Sequence, residues 1–120
     1  MPTRDCDPNN HTYAAVRDAL ALLFGPPDGP KWNPLAQLIQ PGDTVVLKPN
    51  FIKEHHETRP SEWEQVITHG AVIRAVCDYV LHALDGHGRV VICDAPQTDS
   101  SFAATARVSG AEALVRWYAS

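Results

Sequence analysis

Three polar side chains that could bind a ligand follow two short apolar runs. Lys48 and Asn50 come after TVVL, and because they are two residues apart their side chains point the same way in an extended chain. They predict a cation and an amide directed at a ligand; the alternative is an exposed strand end with Asn50 in a turn. Asp94 comes after RVVIC and suits a metal ligand, a proton acceptor or a partner for a ligand hydroxyl. Its alternative is a hydrogen bond to its own backbone in the turn around Pro96.

A histidine and a glycine stand where the most regular helix of the sequence begins. His69 either polarises a carbonyl group of a ligand or completes the helix cap with its side chain. Gly70 leaves the first backbone amides accessible, and amides at a helix N-terminus bind anions. The predicted site residues are the ligand-binding Lys48, Asn50 and Gly70 and the catalytic His69 and Asp94.

The segment from Pro49 to Ile67 connects these two groups. It has nineteen residues and little hydrophobic periodicity, and ordered loops beyond ~12–15 residues are usually functional. A polar, tryptophan-bearing loop that leaves the ligand end of a strand is typical of a lid, while the alternative is a solvated surface loop. Its charged and aromatic residues are Lys53, Glu54, His55, His56, Glu57, Arg59 and Trp63. Farther along, Asp99 is the predicted cap of a helix that starts near Phe102.

Two parallel strands with a helix between them would bring the site residues together. Parallel strands are predicted near residues 44–48 and 89–93, because their apolar runs VVL (45–47) and VVIC (90–93) are continuous rather than alternating, which indicates burial on both faces. Thr68 is the predicted cap of the helix between them. Strand, helix and strand at this spacing form a right-handed βαβ unit, and ligands bind beyond the carboxyl ends of such strands. The apolar stripe of the helix is Val72, Ile73, Val76, Cys77, Val80, Leu81 and Leu84, with Arg74, Asp78 and His82 on the opposite, polar face.

Further helices are predicted on either side of this unit. Thr12 caps the first, a short one follows Asn33-Pro34, and two more cover residues 102–108 and 111–119. Ser109 and Glu112 fit a capping box between the last two. The apolar face of the first helix is Tyr13, Val16, Leu20, Leu23 and Phe24. The predicted fold is α/β, one domain over residues 1–120 that forms an incomplete three-layer sandwich. A two-stranded parallel sheet buries little on its own, so we expect a larger domain, a homo-oligomer or a partner that completes the sheet.

Composition excludes several classes of function. The 120-residue chain carries a net charge of −4 and no basic patch, which argues against nucleic-acid binding. No apolar run reaches the ~18 residues of a membrane helix, and the N-terminus is too polar for a signal peptide. Three dispersed cysteines, Cys6, Cys77 and Cys93, indicate reduced thiols in a cytoplasmic protein. Zinc, dinucleotide and P-loop motifs are missing, so we predict no metal site and leave the cofactor unknown.

Several segments resemble a bacterial family, the domain of unknown function 362. These are WNPL (32–35), PGDTVVLKPNFI (41–52), THGAVIRAVCDYVLHAL (68–84) and RVVICDAPQTDSSF (89–102). The resemblance implies an α/β core with Lys48, Asn50, His69 and Asp94 at motif positions. It also implies a longer protein, with strands before the first helix and after the last. Some relatives carry ferredoxin-type cysteine motifs, which this chain lacks.

Two hypotheses about function follow. The first is a domain that binds a small anionic ligand, carrying a carboxylate or phosphate, as part of an enzyme of undefined reaction. In it Lys48 and Asn50 orient the ligand, His69 acts near the helix N-terminus, and Asp94 is a base or metal ligand. The second is a non-enzymatic assembly module whose strand edges pair with another chain.

Overall fold

The computed structural model describes residues 11–120, so the prediction for Cys6 and that for the polar N-terminus lie outside the described residues. The described chain contains four α-helices, one short 3-10 helix and two strands. In chain order they are α1 (His11–Phe24), the 3-10 helix (Pro34–Gln37), β1 (Thr44–Leu47), α2 (Gly70–Leu84), β2 (Arg89–Ile92), α3 (Phe102–Ser109) and α4 (Ala111–Ala119).

The predicted βαβ unit is confirmed. β1 and β2 pair in parallel, with Thr44 opposite Arg89 and Leu47 opposite Ile92, and α2 connects them. The amide of Cys93 still donates to the carbonyl of Leu47, at 3.1 Å, so the pairing continues one step beyond the strands. As regular strands, β1 and β2 end at Leu47 and Ile92, each one residue before the predicted limit. The α/β class predicted from the sequence is therefore correct.

The prediction that both strands are buried on two faces is wrong for the described chain. No residue of β1 or β2 is fully buried, and β1 alternates between exposed and half-buried positions. Val46 is 57% exposed. Continuous apolar runs indicate cover on both faces, but within residues 11–120 the helices cover the sheet incompletely.

The hydrophobic core lies where the long loop, α2, α3 and α4 meet. Phe51 and Ile67, near the two ends of the loop, form an isolated antiparallel bridge and are almost completely buried. Trp63 and Val66 pack against the same core. The core consists of Phe51, Ile67, Ile73, Ala106, Ala111 and Leu114. Both ends of the segment predicted to be a lid are therefore anchored by apolar burial.

Arg74, predicted on the polar face of α2, is buried, whereas Asp78 on the same face is half-buried and His82 is exposed. Arg74 is 4% exposed and its Nε donates to Asp78 Oδ2 at 3.2 Å. The hydroxyls of Tyr13 in α1 and Tyr118 in α4 also donate to the Asp78 carboxylate. The guanidinium of Arg74 lies 4.3 Å from the centre of the Trp117 ring. Packing of α1 and α4 against α2 thus buries Arg74 and leaves Asp78 half-buried in a polar cluster.

Three predicted helix caps are wrong, and at α2 and α3 a nearby residue takes the role. His69, not Thr68, caps α2, and Ser101, not Asp99, caps α3 by accepting from the amide of Ala104 at 3.1 Å. Thr12 lies inside α1, not before it. A cap needs extended backbone just before the first helical turn, and His69 and Ser101 have it.

Two other details near the chain ends also differ. Leu23, predicted on the apolar face of α1, is 73% exposed, since α1 packs against α2 and the 3-10 helix without burying any of its residues fully. The capping box does not form: Ser109 ends α3 and Gly110 precedes α4, while Glu112 pairs with Arg107 and Arg116. The two predicted helices at 102–108 and 111–119 are confirmed, the first one residue longer.

Candidate functional site

Lys48 and Asp94 form an ion pair at the carboxyl ends of the two strands. Lys48 Nζ lies 2.8 Å from Asp94 Oδ1. The Lys48 side chain is 71% exposed, whereas that of Asp94 is 7% exposed. Hydrogen bonding from Lys48, and then from the backbone amide of Phe51, lowers the pKa of Asp94 below its usual value. The pair presents an exposed ammonium held by a recessed carboxylate.

The parallel register explains why residues 46 positions apart meet here. Because Leu47 is opposite Ile92, the residues that follow each strand emerge side by side at the same edge. Phe51 is drawn into the core three residues after Lys48, and its amide donates to Asp94 Oδ2 at 2.7 Å. Each carboxylate oxygen of Asp94 therefore has a donor.

Asn50 connects the end of β1 to the start of α2 through its backbone. Its amide donates to Thr68 Oγ1 at 2.9 Å, and the amide of Thr68 donates to the carbonyl of Asn50 at 2.9 Å. The residue is exposed. Thr68, which sequence reasoning assigned to a helix cap, instead joins the two ends of the predicted site, and its hydroxyl hydrogen has no acceptor among residues 11–120.

His69 sits at the start of α2 with one ring nitrogen engaged. Its Nδ1 accepts from the amide of Ala71 at 3.0 Å, so the capping alternative describes its side chain. The ring stacks on Trp63 with 5.2 Å between centroids, and Nε2 lies 3.8 Å from Glu64 Oε1. Gly70 is buried beside it. The contacts thus join Lys48 to Asp94 and Asn50 to Thr68, while His69 faces the loop.

A cavity of about 240 Å³ opens beside Lys48, between the end of β1 and the first turns of α2. Its polar lining comes from Lys48 and Thr68, and the rest of the wall is apolar. The lining residues are Val46, Leu47, Lys48, Pro49, Thr68, Val72, Ile73 and Val76.

Hydrogen bonds and an ion pair join the loops that follow the two strands. The amide of Gln97 donates to the carbonyl of Ile52 at 2.9 Å. Lys53 Nζ lies 2.5 Å from Asp99 Oδ2, and Ser100 donates to the Glu54 carboxylate. Hydrogen bonding to Asp99 raises the pKa of Lys53, and the same bond lowers that of Asp99. We call these contacts of residues 52–54 with 97–100 the loop clasp.

A family model with the description "Domain of unknown function (DUF362)" matches residues 45–119. The chain belongs to the DUF362 family. The match covers β1, α2, β2, α3 and α4 with the loops that bear Lys48, Asn50, His69 and Asp94. The WNPL segment, part of the resemblance seen in the sequence, precedes the matched range. Comparisons with curated proteins and with solved structures give no match.

The described DUF362 chain shows neither a ready metal cluster nor a membrane span. Within residues 11–120, His, Cys, Asp and Glu side chains form no group of three or more that could hold a metal ion. The helices of the same range are all too short or too polar to cross a membrane.

A larger apolar groove of about 780 Å³ borders β2 of the DUF362 sheet. Val90 and Ile92 of β2 form one wall, and α2, α3 and α4 form the others. The groove is lined by Cys77, Leu81, Val90, Ile92, Phe102, Ala103, Ala106, Arg107, Ala111, Glu112, Val115, Arg116, Tyr118 and Ala119. Burial raises the pKa of Cys77 to about 11, consistent with its predicted role in core packing.

Sequence reasoning missed three contributors to this region of the DUF362 chain. Thr68 was read only as a cap, and Lys53 and Asp99 were not paired. The common signal was available: Thr68 lies two residues before α2, Lys53 six residues after β1 and Asp99 seven residues after β2, and the parallel topology places these three element ends at one edge. What the sequence does not contain is the loop conformation that pairs Lys53 with Asp99.

Proposed function

We propose that this chain binds a small anionic ligand at the carboxyl ends of β1 and β2, with the Lys48 ammonium as its main contact. The observation that carries the proposal is the ion pair itself. Asp94 holds Lys48 Nζ at 2.8 Å, yet most of the Lys48 side chain is exposed and lines a cavity. An ammonium has three hydrogens, and Asp94 Oδ1 takes one, so the others are available to a ligand.

The remaining site residues take complementary roles in this proposal. Asp94 orients the ammonium, since its lowered pKa keeps it anionic and both oxygens have donors. Asn50 supplies an amide side chain, and Gly70 supplies the first residue of α2. In an enzymatic version, His69 Nε2 and Asp94 are the groups that would exchange protons with the ligand. The cytoplasmic location and bacterial source inferred from the sequence stay predictions.

A titration with phosphate and acetate, followed through backbone amide NMR signals, tests the proposal. We expect saturable shifts around residues 47–50 and 68–70, and at least a tenfold loss of affinity in Lys48→Met, because a hydrogen bond to a charged group contributes about 1.5–3 kcal/mol. Lys31→Met, an exposed lysine of the loop before the 3-10 helix, is the matched control. Equal shifts in both variants, or none in the wild type, would overturn the proposal.

The second candidate function is assembly through the sheet, and the larger groove favours it. Within residues 11–120, β2 pairs with β1 alone, and its residues Val90 and Ile92 line the apolar groove. An edge strand beside an apolar surface is a template for another strand. In this version an apolar β-strand of another chain pairs with β2 and fills the groove.

Light scattering after size-exclusion chromatography distinguishes the assembly function. Val115 lines the groove and is 52% exposed, so Val115→Glu should shift any oligomer to monomer without unfolding the chain. Leu22→Glu, on the exposed side of α1, is the control. A wild-type monomer at high concentration, with no change in either variant, would contradict self-assembly.

A further inference from the structure

We infer that the ligand of the Lys48 site is a small monocarboxylate with an apolar tail, and not phosphate. This inference rests on the proposed function and narrows it to one ligand class. Two features of the cavity carry it: the balance of charge around Lys48, and the apolar wall that continues from Lys48 along α2.

The charge balance favours a head group with a single negative charge. Lys48 is already compensated by Asp94, whose carboxylate lies 2.8 Å from the ammonium. The pair has no net charge, so a phosphate dianion bound to Lys48 would bring two uncompensated negative charges close to the Asp94 carboxylate, whereas a carboxylate brings one. A carboxylate brings one charge and two acceptor oxygens, one for Lys48 Nζ and one for the Thr68 hydroxyl, which both line the cavity.

The wall beyond these two groups has no polar side chain. Val46, Val72 and Val76 line it together with Leu47, Pro49 and Ile73. Water in such a space has few hydrogen-bond partners and is readily displaced by hydrocarbon. A cavity of about 240 Å³ has room for roughly eight water-sized groups at about 30 Å³ each. Hexanoate, with eight non-hydrogen atoms, is a probe of this size.

The test compares four probes on the full chain by the same amide titration. Hexanoate carries both the carboxylate and the hydrocarbon tail, and acetate carries the carboxylate alone. Hexan-1-ol has the tail without a charge, and phosphate is the competing anion. Each fully buried methylene strengthens binding about fourfold. Because the cavity is open on one side, we expect hexanoate to bind at least fivefold more tightly than acetate. Hexan-1-ol and phosphate should bind more weakly than hexanoate.

Two valine-to-threonine variants, one in each cavity, test where the hydrocarbon tail of hexanoate binds. Val72→Thr keeps the shape of the cavity wall but adds a hydroxyl, and should weaken hexanoate about threefold without affecting acetate. Val115→Thr makes the same change in the larger groove and should affect neither probe. Equal affinity for acetate and hexanoate, or tighter binding of phosphate, would overturn the inference while leaving the proposed anion site intact. Absence of any Lys48-dependent binding would overturn both.

Discussion

Asp94 is the residue on which the proposed site depends. Its side chain is recessed, and its two oxygens join a lysine after β1 to the backbone of the loop that follows. Either donor could be lost without moving the strands, because the strand pairing does not involve this side chain. The residue therefore governs the position of the ammonium more than the stability of the sheet.

The lowered pKa of Asp94 makes its stabilising effect dependent on pH. A carboxyl whose pKa falls on folding contributes stability above its unfolded pKa of about 3.9, and that contribution is lost as pH falls through the folded pKa. We expect Asp94→Asn to lower the free energy of unfolding by about 1–2 kcal/mol at pH 7, with the difference from wild type shrinking below about pH 4.

Urea unfolding of both proteins between pH 7 and pH 3 measures this difference. Asp28→Asn, at an exposed loop position, is the control and should follow the wild type throughout. A difference for Asp94→Asn that stays constant down to pH 3 would show that the carboxylate charge does not stabilise the folded chain.

At the level of elements, the turn before β2 determines how the strands meet. Gly88 has a φ of 127°, and a Cβ on it would lie 2.4 Å from the carbonyl oxygen of Asp43. That carbonyl accepts from the amide of Arg89 at 3.0 Å, the contact that opens the strand pairing. A side chain at Gly88 would push the turn away from β1.

Gly88→Ala should therefore destabilise the chain more than Gly86→Ala. Gly86, two residues earlier, also has positive φ (75°), but a Cβ there meets nothing within 4 Å. Strain at positive φ costs about 1 kcal/mol in both variants, and the clash adds about 1–3 kcal/mol at Gly88 alone. Thermal unfolding of the two variants isolates the close approach, and equal melting temperatures would contradict it.

The helices and strands were largely predictable because their signals are local. The stripe of α2 and the two β-branched runs carry their periodicity within a few residues, and the positions of Lys48 and Asp94 follow from the parallel topology. Burial of Arg74 was not predictable in this way. Arg74 lies over the ring of Trp117, and its partner Asp78 accepts from Tyr13 and Tyr118; no spacing rule connects these three aromatic residues to α2. The caps failed because adjacent residues compete for one position.

At the scale of the whole molecule, the Asp78 cluster holds three helices together. This cluster consists of Asp78 and the three residues that donate hydrogen bonds to its carboxylate: Tyr13 of α1, Arg74 of α2 and Tyr118 of α4. Burial and the hydrogen bond to Asp78 raise the pKa of both tyrosines, so they stay protonated donors at ordinary pH. α1 has no fully buried residue, which makes this polar contact a large part of its attachment.

We expect Asp78→Ala to lower the free energy of unfolding by about 3 kcal/mol, because it leaves the Arg74 guanidinium buried without its carboxylate partner. Native-state hydrogen exchange should show α1 losing protection before α2. Asp18→Ala removes an exposed ion pair with Arg17 and should change the free energy by less than about 1 kcal/mol. Similar effects of the two substitutions would contradict the role given to the cluster.

The contacts of the loop clasp and of the sheet join residues at almost the same separation along the chain. Every pair in the parallel register is separated by 45 residues, as from Thr44 to Arg89. The Lys53–Asp99 and Glu54–Ser100 contacts are each separated by 46 residues. All of these contacts close the same loop of the chain. The entropic cost of closing it, about 3 kcal/mol, therefore arises only once. Whichever contact forms first makes the others nearly local, so the sheet, the ion pair and the clasp should assemble in a single kinetic step.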